Sequence, residues 1–125
     1  MQMFLEQGFP VVCFTITTLF SGSYNSAINA KSLVLEDYPD ANICVIDSKQ
    51  NTVTQALLID QFVRMLEDGL SFEQAMSELD ALMASARIFF TVGSLDYLKM
   101  GGRIGKVATA ATGKLGVKPV IIMID

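Results

Sequence analysis

The chain has 125 residues, 51% of them hydrophobic, with 13 acidic against nine basic side chains and a formal charge of −4. That length suits one core-forming unit, and although the mean hydropathy is +0.44, no apolar run reaches the ~18 residues that would span a bilayer. The negative balance without a Lys/Arg cluster excludes sequence-independent nucleic-acid binding, and the absence of histidine excludes a Ser-His-Asp or Cys-His triad built within the chain.

The chain opens on Met1-Gln2-Met3-Phe4-Leu5-Glu6-Gln7, which reads as the last turns of an amphipathic helix stopped by Gly8. It lacks the basic start and small-residue cleavage site of a signal peptide, so a cytoplasmic protein is expected. Pro10 precedes a β-branched apolar run, residues 11–16, with the character of a buried strand. Ser21 opens a helical stretch to about Tyr38, with Tyr24, Ala27, Ile28, Leu33 and Leu35 forming an imperfect apolar stripe, and Pro39 blocks its continuation. Residues 43–46 form a second strand that ends in Asp47-Ser48-Lys49. A long helix over about 54–68 presents Ala56, Ile59, Phe62, Val63 and Leu66 at helical spacing and stops at Gly69.

Ser71-Phe72-Glu73-Gln74 has the capping-box pattern and starts a helix to about Ala86. Residues 88–92 form a third strand, Ser94 caps a short helix through Met100, a further short helix runs through Ala111, and residues 119–124 form a fourth strand. Apolar strands separated by helices predict an α/β fold, a parallel sheet with helices on both faces. Ligands of such sheets gather where strand carboxyl ends meet helix starts. That places attention on residues 17–24 and 47–50. Cys13 and Cys44 sit in apolar runs outside any CxxC pattern and read as buried reduced thiols; neither a metal nor a cofactor is called for.

Two segments carry chemistry. In Thr17-Thr18-Leu19-Phe20-Ser21-Gly22-Ser23-Tyr24, four hydroxyls converge on a helix start whose N–H groups and dipole receive a carboxylate or phosphate. Gly22 permits close backbone approach, and Ser21 or Ser23 donates to the anion. The same spacing also suits a plain N-cap at Ser21. In Leu98-Lys99-Met100-Gly101-Gly102-Arg103-Ile104-Gly105-Lys106, three glycines surround one guanidinium fork suited to an anion. A helix stop followed by a solvated Arg103 has the same pattern. Val107 stands where a Walker A loop needs a Ser or Thr, so this is not one. Asp47 suits an Asx turn better than a metal or acid–base role, since no second acid lies at a useful spacing.

The segments FTITTLFSGSYNSA (residues 14–27), VIDSK (45–49), SLDYLKMGGRIGK (94–106) and GVKPVI (116–121) follow one another in the order and spacing of the DegV family, which the whole chain resembles. The resemblance implies a non-catalytic lipid-binding protein that buries a long-chain fatty acid such as palmitate and presents its carboxylate to a separate fatty acid kinase subunit. Ser21 matches the carboxylate-binding serine, with Gly22 and Ser23 shaping the loop, and Arg103 matches an arginine assigned to the head group or to kinase docking. The resemblance also makes residues 1–115 part of a first α/β domain and 116–125 the first strand of a second, with the family's N-terminal segment and most of its second domain absent. Thr17-Thr18 and Ser23 stand in place of the more usual Ser-Ser and Thr, and residues 50–55 lack the glycines often found there. The alternative reading is an α/β enzyme or binding domain for a small phosphorylated metabolite, with Ser21 and Arg103 as the anion clamp.

Overall fold

A computed structural model describes residues 2–103 and 120–122. The order of elements is α1 (Gln2–Glu6), β1 (Val11–Thr15), α2 (Ser23–Asp37), β2 (Ile43–Asp47), α3 (Thr52–Glu67), α4 (Phe72–Ser85), β3 (Phe89–Thr91), α5 (Asp96–Met100) and β4 (Val120–Ile122). The chain divides into two compact units, residues 1–86 and 87–125.

In the first unit β1 and β2 pair in parallel, Val12 opposite Cys44 and Phe14 opposite Ile46. One face of this pair meets α3 and α4. Ile46, Phe62, Ala75 and Leu79 are buried together, with Val12, Phe14, Met65, Phe72, Met76 and Met83 packed around them. Phe14, Phe62 and Phe72 join sheet to both helices through edge-on ring contacts with centroids 5.6 and 6.2 Å apart, a geometry favoured by the ring quadrupoles. Helix α2 packs against β1 and β2 without fully burying a residue. Cys13 and Cys44 are free thiols, half-buried.

The terminators act as expected. Gly8 and Gly69 adopt φ of 75° and 94°, the left-handed stop that costs glycine least. At α4 the Ser71 hydroxyl accepts from the Gln74 N–H at 3.2 Å, and Gln74 Oε1 accepts from the Ser71 N–H at 2.8 Å. Ser94 accepts from the Asp96 N–H at 3.1 Å ahead of α5, although the N-cap residue of α5 is Leu95 and not the expected Ser94.

Cys13 and Cys44, expected to be buried, are only partly so, and helix packing and strand pairing also differ from the sequence expectation. Helix α3 begins at Thr52 and buries Leu58 and Phe62, with Met65 packed against the core. The stripe with Ala56, Ile59, Val63 and Leu66 is rotated by one residue, so that Val63 and Leu66 are exposed. Both sets are apolar at helical spacing, and the partner surfaces chose between them. In the second unit, β3 and β4 form a separate antiparallel pair, Phe90 opposite Ile121. The α/β class and the parallel sheet stand, but among the described residues the parallel pairing is that of β1 with β2. A short apolar run of this kind is compatible with either strand direction. The expected short helix through Ala111 and the expected boundary at 115/116 lie outside the described residues.

Candidate functional site

The loop from β1 to α2 and the turn from β2 to α3 leave the same end of the parallel pair, as register dictates. They are tied together. The Thr17 N–H donates to the Gln50 carbonyl at 2.9 Å, and the Thr17 carbonyl accepts from the N–H groups of Phe20 and Ser21 at 3.1 and 3.2 Å. Thr18 donates its hydroxyl to Asp47 Oδ2 at 2.7 Å, and its N–H points to the same oxygen at 3.4 Å. Asp47 Oδ1 accepts from the Lys49 N–H at 3.0 Å, the Asx turn expected there. Ser48, fully buried, donates to the Gln50 carbonyl at 3.2 Å.

The four hydroxyls of the sequence motif therefore divide into two classes. Thr17 is fully buried and accepts from the Leu19 N–H at 3.2 Å, while Thr18 is taken by Asp47. These two build the loop. Ser21 accepts from the Ser23 N–H at 3.1 Å, an arrangement that leaves the Ser21 proton for an outside acceptor. The Ser23 Oγ is buried and has no partner among the described residues, a situation that costs free energy until a partner is supplied.

Helix α2 starts later than the sequence suggested. Gly22 is its N-cap residue, with φ −81° and no side-chain cap, and Ser23 is its first helical residue. Gly22 is thus not needed for a left-handed turn, and a methyl group at its Cα would meet no atom within 4 Å. The protein leaves space there. Above it stands the start of a 15-residue helix, where N–H groups and dipole favour an anion.

Arg103 belongs to the second unit. It follows α5, where Gly101 and Gly102 end the helix, Gly102 at φ 68°. Its N–H donates to the Leu98 carbonyl at 2.9 Å, and its exposed guanidinium donates to the Gly101 carbonyl. Ser21, Gly22 and Ser23 thus stand together, and Arg103 is described within its own unit. Residues 47–50 were expected to border the site, but the sequence did not single out Gln50, whose Oε1 is buried and has no partner among the described residues. Its neighbour Ser48 was the available signal, since the apolar run of β2 continues into a polar pair that is buried at 0% and 5% exposure.

The model of the DegV family, COG1307, matches residues 1–125. A DegV domain-containing protein of Clostridium perfringens is 34% identical over 124 residues, covering 99% of this chain and 43% of its own length. A stearic acid-binding protein from Eubacterium ventriosum has a crystal structure that superimposes with a TM-score of 0.92 at 97% identity, over 98% of this chain and 42% of that one. The fatty acid kinase B3 protein of Streptococcus pneumoniae, loaded with linoleic acid, superimposes with a TM-score of 0.79 at 33% identity, over 91% of this chain and 41% of that one. This chain therefore spans less than half the length of these relatives. Among the described residues no helix is long and apolar enough to cross a membrane. The chain belongs to the DegV family.

Proposed function

We propose that this chain binds a long-chain fatty acid, holding the carboxylate at Ser21 and the start of α2, with Gly22 leaving room for the head group and Ser23 closing the loop. The observation that carries the reading is the buried Ser23 hydroxyl, unpartnered among the described residues, beside a Ser21 hydroxyl that accepts from the Ser23 N–H and donates to no acceptor among the described residues. A carboxylate at a helix start satisfies such donors. Burial of about 15 methylenes contributes about 12 kcal/mol before the cost of immobilising the ligand. The tail supplies affinity and the hydroxyls supply orientation.

The chain itself is non-catalytic in this reading. It is a carrier that presents the carboxylate to a separate fatty acid kinase subunit, whose phosphoryl transfer yields an acyl phosphate. Likeness to the pneumococcal fatty acid kinase B3 protein supports this role. Arg103 is proposed as a second polar contact, for the head group or for the kinase subunit.

Organic extraction of the purified chain followed by mass spectrometry tests the reading. Near-stoichiometric C16–C18 fatty acid, lost by roughly tenfold or more in Ser21→Ala as expected for a hydrogen bond to a charged group, is the expected result. A lipid-free chain that also fails to take up added palmitate, or one that releases a phosphorylated metabolite instead, would overturn it.

A further inference from the structure

Asp47 lies on the β2 side of the candidate site, outside the segment that faces the ligand, yet it makes the shortest of the bonds between the two loops. Its Oδ2 receives the Thr18 hydroxyl at 2.7 Å and faces the Thr18 N–H at 3.4 Å, while Oδ1 receives the Lys49 N–H at 3.0 Å. Both carboxylate oxygens are thereby committed inside the protein. Lys49 and, three residues on, Thr52 hold φ of 55° and 45°, values that a β-branched residue adopts only when its surroundings impose them. The turn on the β2 side is thus a shaped platform.

From that platform hydrogen bonds lead to the serines. Gln50 holds the Thr17 N–H, Thr17 holds the Ser21 N–H through its carbonyl, and Ser21 holds the Ser23 N–H through its hydroxyl. The bond from the Thr18 hydroxyl to Asp47 joins one side chain to another beside this series, and it secures an otherwise exposed residue immediately after Thr17. It also removes the Thr18 hydroxyl from the set of donors open to a ligand. Charge-assisted bonds of this kind are about twice as strong as neutral ones, and placement of donors to well under 1 Å decides how they meet an anion.

We propose that Asp47 is a positioning residue for head-group recognition: through Thr18 it fixes the loop of residues 17–23, and so aims the Ser21 and Ser23 hydroxyls at a ligand carboxylate. This rests on the carboxylate site proposed above. Asp47 acts through geometry here, since its own negative charge would only oppose an anionic ligand.

The test is the equilibrium partition of tritiated palmitate and of tritiated 1-hexadecanol from phosphatidylcholine vesicles onto the 125-residue chain. The two ligands share the tail and differ in the head group, so loss of fold lowers both and loss of aim lowers the preference for palmitate alone. Thr18→Val is expected to lower the palmitate-to-hexadecanol ratio about 3- to 10-fold, the worth of one or two hydrogen bonds. Thr18→Ser is expected to restore it, and Asp47→Asn to lower it, with the Thr18→Val/Asp47→Asn pair no worse than Thr18→Val alone. A Thr18→Val ratio equal to the unmodified chain's, or an Asp47→Asn variant that binds palmitate more tightly, would overturn the positioning role. In either case a ratio lowered by Ser21→Ala shows that the carboxylate site itself stands. An unmodified chain without preference for palmitate would remove both.

Discussion

The two ends of the β1–β2 pair offer a ligand opposite environments. At the carboxyl end, residues 17–23 and 47–50 place hydroxyls about the start of α2, and that of Ser23 is buried and unpartnered among the described residues. At the amino end lies an open depression of about 380 Å³ lined by Leu5, Phe9, Tyr38 and Asn42 together with Glu6, Asp37 and Asp40. There the Tyr38 hydroxyl donates to Glu6 Oε1 at 3.4 Å, and α2 ends in Asp37 with no basic residue in its last turn. The amino-end recess is well formed as a shape but presents three carboxylates and the negative end of the helix dipole to an anion. Under the proposed function, a fatty acid head group would be repelled at the amino end and received at the carboxyl end, where the donors are. In that reading helix polarity and open donors, more than concavity, favour the carboxyl end.

The most severe way to disturb this comparison is to loosen the core that holds both ends in place. Leu79 is 1% exposed, and Leu79→Ala is expected to destabilise the protein by about 3–4 kcal/mol, the range for emptying a buried leucine site. Urea denaturation measures this; a loss below about 1 kcal/mol would mean that α4 does not seal the core.

A more selective change separates the ends. Space at the Gly22 Cα is open, and its backbone is one that alanine adopts, so Gly22→Ala is expected to cost no more than about 1 kcal/mol of stability as a weaker N-cap. If that space belongs to the head group, the same methyl lowers palmitate binding roughly tenfold, whereas Asp40→Asn at the amino end leaves binding unchanged. Vesicle partition reads both variants. Equal effects of the two substitutions would erase the distinction between the ends.

The smallest effect concerns the start of α4, which serves as the internal reference for α2. Ser71→Ala breaks the capping box of α4 and is expected to cost about 1 kcal/mol in urea. Glu73 in its first turn is held below the usual carboxylate range by its own backbone N–H and then by the Ser71 hydroxyl. A carboxyl whose folded pKa is lowered contributes stability above its unfolded value, near pH 4.3, and loses it as pH falls through the lower folded value. Thermal melts between pH 7 and 3 should therefore show part of the acid destabilisation in the unmodified chain and less of it in Ser71→Ala. An unchanged acid limb would show that the hydroxyl does not reach the carboxylate.

Local signals in the sequence carried most of the secondary structure. Glycine is the residue that tolerates positive φ, so Gly8 and Gly69 mark stops that any fold would respect. The Ser71–Gln74 capping box depends on a three-residue spacing and nothing distant. The α/β class followed from apolar strands alternating with helices, and the Asx turn at Asp47 from the local preference of that residue.

Tertiary contacts settled what local chemistry left degenerate. Helix α3 carries apolar residues on two adjacent faces, and only the presence of Ile46, Phe72 and Leu79 beside Phe62 selected the one that is buried. Short apolar runs fit parallel and antiparallel ladders alike, so the pairing of β3 with β4 needed the partner strand to be in place. The four hydroxyls of residues 17–23 look equivalent along the chain. It took Asp47, 29 residues from Thr18 in sequence, to separate the hydroxyls that hold the loop from Ser21 and Ser23 at the start of α2, because a hydrogen bond between distant residues exists only once the fold has brought them within 3 Å of each other.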